Sequence, residues 1–71
     1  MRKIVFSNHA TKRMFERGIN EKDVEDAVEK PDYKVQRGIE KEAYKKLNGG
    51  TVKIVYAETE SFIRIITVIW I

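Results

Sequence analysis

The sequence of 71 residues contains no cysteine, one histidine and one proline. The absence of cysteine excludes disulfide bonds and thiolate metal centres, and a lone histidine leaves too few soft ligands for a zinc site. We therefore expect neither a metal ion nor another cofactor. Because a chain of this length is near the lower limit for folding without such crosslinks, we expect a single domain over residues 1–71.

Long apolar runs are also missing. The longest, Ile65 to Ile71, is far shorter than the roughly 20 residues that cross a bilayer. The N-terminus lacks the charged, apolar and small-residue segments of a signal peptide. We therefore expect a soluble, cytoplasmic protein. Charged residues make up 35% of the chain and are rich in lysine and glutamate, which is typical of proteins from thermophiles.

The charges that are present are distributed unevenly. The formal net charge of +3 is modest for a protein that binds nucleic acid. However, the basic residues dominate positions 2–17, where Glu16 is the sole acid, and the acidic residues dominate positions 21–29, where Lys22 is the sole base. The first segment suits an anionic partner, and the second suits a solvated helix face.

The first half of the chain carries the signals of two helices. Ser7 can cap a helix that ends at Gly18. Asn20 can cap a second helix, with Asp23 at the capping-box position, and Pro31 prevents its continuation. The apolar residues expected to face the core are Ala10, Met14, Ile19, Val24, Ala27 and Val28.

The second half has the short alternating runs, rich in β-branched and aromatic residues, that predict strands. Asn48-Gly49-Gly50 predicts a hairpin, and Glu58–Ser61 predicts a second turn. We expect an α+β fold in which a short N-terminal strand and two helices pack on one face of a mostly antiparallel four-stranded sheet. The predicted strands are Ile4–Phe6, Tyr33–Arg37, Glu42–Leu47, Val52–Ala57 and Phe62–Ile71.

Pairing across the two turns predicts a register in which each sheet face mixes polar and apolar side chains. The last strand is apolar on both faces, so it is expected inside the sheet and offers a surface for a homodimer. The predicted register aligns Lys45 with Lys53 and Thr67 on one face, Tyr44 with Ile54 and Ile66 on the other, and Tyr56 with Arg64 on the Tyr44 face.

The segment from Ser7 to Ile19 has the pattern S-x-H-A-x-x-R-M-x-x-R-G-I. At about 100° per residue, His9, Arg13 and Glu16 share one helix stripe. Together with the acidic helix, the proline, the sheet and the closing Ile66-Thr67-Val68 strand, this pattern resembles a family of small prokaryotic domains of unknown function. That family is similar to the RelE/ParE-like and barnase-like ribonucleases, many of which are toxins paired with antitoxins.

The resemblance implies a site between the first helix and the sheet. His9 and Arg13 match the helix motif, Thr67 matches the closing strand, and Arg17 also matches, although it can instead stabilise the helix C-terminus. The implied activity is metal-independent RNA cleavage, and the implied partners are RNA and an acidic antitoxin-like protein.

Such cleavage requires proton transfer and stabilisation of negative charge on phosphorus. The imidazole of His9 can act as base or acid, Arg13 can hold the phosphate bidentately, and Thr67 can orient an oxygen by hydrogen bonding. A second proton carrier is needed, for which Tyr56 and Glu16 are weak candidates.

The same residues also have ordinary structural roles. His9 can bond a nearby carbonyl or Thr67, and the arginines can pair with Glu16 or Asp23. Three alternatives therefore stay open: a toxin-like ribonuclease, a non-catalytic module that binds nucleic acid or protein, and an inert homodimer built through the C-terminal strand. The candidate nucleic-acid-binding residues are Lys12, Arg17, Lys45, Lys53 and Arg64.

Overall fold

Five strands and two helices form the domain in the computed structural model, which describes residues 3–71. The α+β class is confirmed. None of the helices in the described residues is both long and apolar enough to cross a membrane. The elements are β1 (Lys3–Phe6), α1 (Asn8–Arg17), α2 (Glu21–Glu29), β2 (Tyr33–Arg37), β3 (Glu40–Leu47), β4 (Gly50–Glu58) and β5 (Phe62–Trp70).

The sheet has five strands in the order β1-β5-β4-β3-β2, whereas the sequence predicted four. The additional strand is β1, which pairs in parallel with β5, while all other pairs are antiparallel. In this position Ile4 and Phe6 reach the core, which explains why an apolar segment precedes α1. The apolar strand β5 therefore lies inside the sheet, as predicted.

The predicted helix ends are confirmed. The Ser7 side chain accepts a hydrogen bond from the Ala10 amide at 3.0 Å, and Gly18 ends α1 in the left-handed conformation with φ of 68°. The backbone N–H of Asp23 donates to the side-chain oxygen of Asn20 at 2.8 Å. The Asp23 carboxylate accepts from the backbone N–H of Asn20, which completes the capping box. Both helices are thus bounded by their local sequence.

Both helices cover the same face of the sheet. Helix α1 packs on β5, and helix α2 packs on β3 and β4. The predicted apolar helix residues are all buried, and the strands contribute a matching apolar surface. The buried core residues are Ala10, Met14, Ile19, Val24, Ala27, Val28, Ala43, Val52, Ile54, Tyr56, Ile65 and Val68.

Helix α1 also completes the edge of β5 beyond the end of β1. The Ser7 hydroxyl donates to the Ile66 carbonyl at 3.2 Å, and the Arg17 guanidinium donates to the Val68 carbonyl at 3.2 Å. In return, the Trp70 indole donates to the Arg17 carbonyl at 2.9 Å. The bonds to Ile66 and Val68 satisfy strand carbonyls beyond the end of β1, and the bond from Trp70 satisfies a carbonyl at the C-terminal end of α1.

The predicted register between β3 and β4 is wrong by one residue. Leu47 pairs with Gly50, so the loop contains two residues, Asn48 and Gly49, instead of the three that were expected. The short loop fits the ring of Trp70, since a Cβ at Gly49 would lie 3.2 Å from that indole. As a result, Lys53 faces Tyr44 instead of Lys45.

The predicted register between β4 and β5 is also wrong. Tyr56 pairs with Ile65 instead of Arg64, and a bulge at Ile66 shifts the remaining pairs so that Thr67 lies opposite Val55. An inserted residue of this kind bends a strand and changes its register.

The two corrections separate the side chains of β4 cleanly. Val52, Ile54 and Tyr56 face the helices, whereas Lys53 and Val55 face away from them. The helix face of β4 is therefore apolar, although the same sheet face also carries Lys41 and Lys45 of β3, so each face mixes polar and apolar side chains, as predicted.

We predict that Gly18→Ala lowers the free energy of unfolding by about 1 kcal/mol, because a residue with a Cβ is strained at positive φ. Gly18→Asn should cost less, since asparagine tolerates this conformation. Urea unfolding measures both effects. Thr11→Ala, at an exposed position of the same helix, is the control, and a loss as large there would contradict the explanation.

Candidate nucleic-acid interface

His9 and Arg13 lie on α1 as predicted, but they have different surroundings. The side chain of His9 is exposed and has no hydrogen-bond or ion-pair partner within residues 3–71. Arg13 donates to the Glu16 carboxylate at 2.6 Å, and this bond lowers the pKa of Glu16. The structure therefore contains the Arg13–Glu16 ion pair that the sequence analysis gave as an ordinary structural role of Arg13.

Thr67 is not brought together with His9 and Arg13. Its strand neighbour Val68 is fully buried beneath the helices, so Thr67 points to the opposite face of the sheet, where it lies beside Val55. The space between α1 and β5 is filled with core side chains. In the described part of the chain, the core therefore separates Thr67 from His9 and Arg13.

The two candidates for a second proton carrier are also separated. Tyr56 is 1% exposed within the core, and burial raises its pKa. Glu16 is on the surface in its pair with Arg13. A buried tyrosine is poorly placed to exchange a proton with a substrate in solvent.

The five predicted nucleic-acid-binding residues fall into three groups. Lys12 is exposed on α1. Arg17 and Lys45 bond backbone carbonyls, Arg17 that of Val68 and Lys45 that of Lys30, the latter at 2.9 Å near the end of α2. Lys53 and Arg64 lie on the sheet face turned away from the helices. We call that face the open face.

Side chains on the open face form rows across the strands. No helix of the described part of the chain packs on them. The first row is Tyr33, Tyr44, Lys53 and Ile69; the second is Val35, Glu42, Val55 and Thr67; the third is Arg37, Glu40, Ala57 and Arg64.

Glu42 is the centre of a polar network on this face. Its side chain is 9% exposed. It accepts a hydrogen bond from the Tyr44 hydroxyl at 2.9 Å, and its other oxygen lies 3.0 Å from Arg37 Nε and 3.5 Å from Lys53 Nζ. A buried carboxylate with partners on both oxygens is satisfied, and it fixes the three side chains around it.

The network shifts two pKa values. Burial pushes the pKa of Glu42 upward, but the hydrogen bonds from Tyr44 and Arg37 outweigh burial, so the pKa lies below its ordinary value. The same hydrogen bond raises the pKa of Tyr44, because losing the hydroxyl proton would place an anion beside the carboxylate. At neutral pH the group is therefore a carboxylate with a neutral tyrosine.

Two tyrosines and a lysine form a stacked column along the first row. The rings of Tyr33 and Tyr44 are 4.4 Å apart with an interplanar angle of 10°. Lys53 Nζ lies 6.0 Å from the centre of the Tyr44 ring. Tyr33 ends the column at the edge strand β2 and is 57% exposed. The column thus terminates in an accessible aromatic ring.

The sequence did not identify this cluster. Tyr33, Arg37 and Glu42 were seen as ordinary strand residues, and Tyr44 was placed opposite Ile54. The Gly38-Ile39 turn between β2 and β3 could have revealed the cluster in the sequence. A two-residue loop at this position brings Tyr33 opposite Tyr44.

The open face favours an anionic ligand. Its cations include Lys3, Arg37, Lys53 and Arg64, against the carboxylates Glu40 and Glu42. Within residues 3–71 there is no group of three histidine or acidic side chains that could hold a metal ion. The chemistry available is therefore hydrogen bonding, charge and aromatic stacking.

A concavity of about 630 Å³ lies apart from the open face, between the helix junction and the β3–β4 hairpin. Two of its polar side chains already have partners, since Trp70 donates to Arg17 and Asp23 caps α2. Its lining residues are Gly18, Asp23, Lys46, Leu47, Asn48, Gly49 and Trp70.

Residues 6–70 match a protein family described as a domain of unknown function, DUF4258. The match covers most of the chain and includes α1, α2 and the strands of the open face from β2 to β5. No curated protein and no solved structure matches the chain.

We predict that Glu42→Gln removes the acid sensitivity that this carboxylate gives the fold. Because the pKa of Glu42 is lower in the folded state, its stabilising effect is complete above the ordinary value of 4.5 and is lost as the pH falls through the folded pKa. Thermal unfolding of both proteins at pH values from above 4.5 downward measures the effect. In the variant, NMR titration should show that the pKa of Tyr44 falls toward its ordinary value.

Glu40→Gln is the matched control, because Glu40 lies on the same strand and face but is exposed. Equal changes in the two variants would show that Glu42 has no special role in the network.

Proposed function

This chain belongs to the DUF4258 family, and we propose that it binds single-stranded RNA on the open face of its sheet. The observation that carries the proposal is the stacked column of Lys53, Tyr44 and Tyr33, which ends in an exposed ring beside fixed cations. Cations supply affinity for phosphates, and aromatic rings supply stacking surfaces for unpaired bases.

The exposed ring of Tyr33 favours a single strand over a duplex. Bases in a duplex are stacked on each other and cannot lie on a protein ring, whereas unpaired bases can. Thr67 adds a hydroxyl to the middle of the same face, which can bond the 2′-hydroxyl that distinguishes RNA from DNA. We therefore favour RNA.

The resemblance to RelE-like ribonucleases supports an RNA ligand as well. It rests on the helix motif and the closing strand and is an analogy at the level of fold. The stacked column and the cations of the open face support RNA binding separately, because they include none of the helix-motif residues. An acidic protein partner that competes for the same cations is compatible with this proposal.

We predict that Arg64→Ala weakens the binding of a labelled single-stranded RNA of about ten nucleotides by about 5-fold, because one cation is lost from the open face. The slope of log affinity against log salt should fall by about 0.7 for the lost phosphate contact. Fluorescence anisotropy over a series of salt concentrations measures both quantities.

Lys12→Ala is the matched control, because it removes the same charge from the helix side of the domain. It should leave the affinity nearly unchanged. An equal loss in the two variants would indicate attraction by net charge alone, and no binding by the unmodified protein at low salt would refute the proposal.

RNA cleavage by α1 is a second candidate function, favoured by the exposed His9, which lies one turn before Arg13 and has no polar partner among residues 3–71. An accessible imidazole can transfer a proton, and the neighbouring guanidinium can hold a phosphate. Because this stripe and the open face lie on opposite sides of the sheet, different variants test the two functions.

If this second function is present, His9→Ala should slow RNA cleavage in EDTA by about 100-fold, the loss typical of removing a general acid or base. Product lengths on a denaturing gel measure the rate. Thr11→Ala, on the same helix, should cleave like the unmodified protein. RNA left intact by the unmodified protein would exclude cleavage without affecting the binding proposal.

A further inference from the structure

We infer that Tyr33 and Arg37 form a nucleotide subsite, in which one RNA base stacks on Tyr33 and Arg37 holds an adjacent phosphate. This inference rests on the proposed RNA binding and adds a specific location to it. Both residues lie on β2, the outermost strand, and their side chains are on the open face.

Tyr33 has one occupied ring face and one free ring face. Tyr44 covers the inner face of the Tyr33 ring at 4.4 Å, and the ring of Tyr44 is itself fixed by its hydroxyl bond to Glu42. Because no strand of residues 3–71 lies beyond β2 in the sheet and Tyr33 is largely exposed, the outer face of its ring meets solvent. A base that stacks there extends an existing column and requires little ordering of the protein.

Arg37 is oriented and still has free hydrogen-bond donors. Its Nε lies 3.0 Å from Glu42, while its side chain is 66% exposed. A guanidinium has five N–H donors, so engaging Nε leaves the two terminal nitrogens for a bidentate contact with phosphate. The contact with Glu42 places the guanidinium of Arg37 near the second row, which is the row next to that of Tyr33. Same-face residues in neighbouring rows are about 7 Å apart along a strand.

Glu42 therefore has a positioning role. Its side chain is 9% exposed and both carboxylate oxygens already face donors, so Glu42 does not meet the ligand. It holds the hydroxyl of Tyr44 on one oxygen and Arg37 on the other. Through these two bonds, a single buried group sets the position of the stacking column and of the phosphate ligand.

The test compares the binding of oligoadenylate of about ten nucleotides with that of abasic RNA of equal length. Tyr33→Leu should weaken oligoadenylate binding by about 5- to 100-fold, the range that stacking of one base supplies, and should not change binding of abasic RNA. Tyr33→Phe retains the ring and should bind like the unmodified protein.

Arg37→Ala should lower the salt slope by about 0.7 for both RNAs, because the phosphate contact does not depend on the base. Lys34→Ala is the matched control, since Lys34 is the exposed cation of the same strand on its other face. It should leave both affinities and the salt slope unchanged. Thermal unfolding of each variant confirms that the fold is retained.

The outcomes separate this inference from the function on which it rests. If RNA binds and responds to Arg64→Ala, but Tyr33→Leu binds as tightly as the unmodified protein, the subsite is refuted and RNA binding stands. A loss with Tyr33→Phe equal to that with Tyr33→Leu would refute stacking. An absence of RNA binding by the unmodified protein would refute both.

Discussion

The alternation of side chains across β4 is the constraint on which the rest of this structure depends. A two-residue loop at Asn48 and Gly49 starts the strand in a register that sends Val52, Ile54 and Tyr56 to the helices. A shift by one residue would exchange this apolar set with the polar set on the other face. The same register that builds the core therefore places Lys53 beside Tyr44 and assembles the open face.

Local signals in the sequence were sufficient for the helices. Ser7, Gly18 and the Asn20 capping box act within one turn of the chain, so their effects could be predicted without knowledge of the tertiary fold. The register could not be predicted in this way, because it depends on the close approach of Trp70 to the Gly49 turn and on the bulge at Ile66. Those contacts join residues far apart in the sequence.

The candidate site shows the same division. The composition of α1 directed attention to His9 and Arg13, which are neighbours in sequence, and their placement on one helix was correct. The face to which Thr67 points could not be predicted, since the bulge and the buried Val68 determine it. The Glu42 network was missed because it combines β2, β3 and β4. A site that is assembled by strand pairing can be identified in the sequence only after the register of the strands is known.

The bonds of Ser7 and Arg17 give helix α1 a second role beyond packing. The hydroxyl oxygen of Ser7 accepts from the Ala10 amide and donates to the Ile66 carbonyl. The same atom therefore caps α1 and binds the edge of β5. Undocking of α1 would therefore expose strand carbonyls as well as apolar surface, and an exposed strand edge invites pairing with another chain. In this small domain, helix α1 therefore shields the end of β5 from pairing with a strand of another chain.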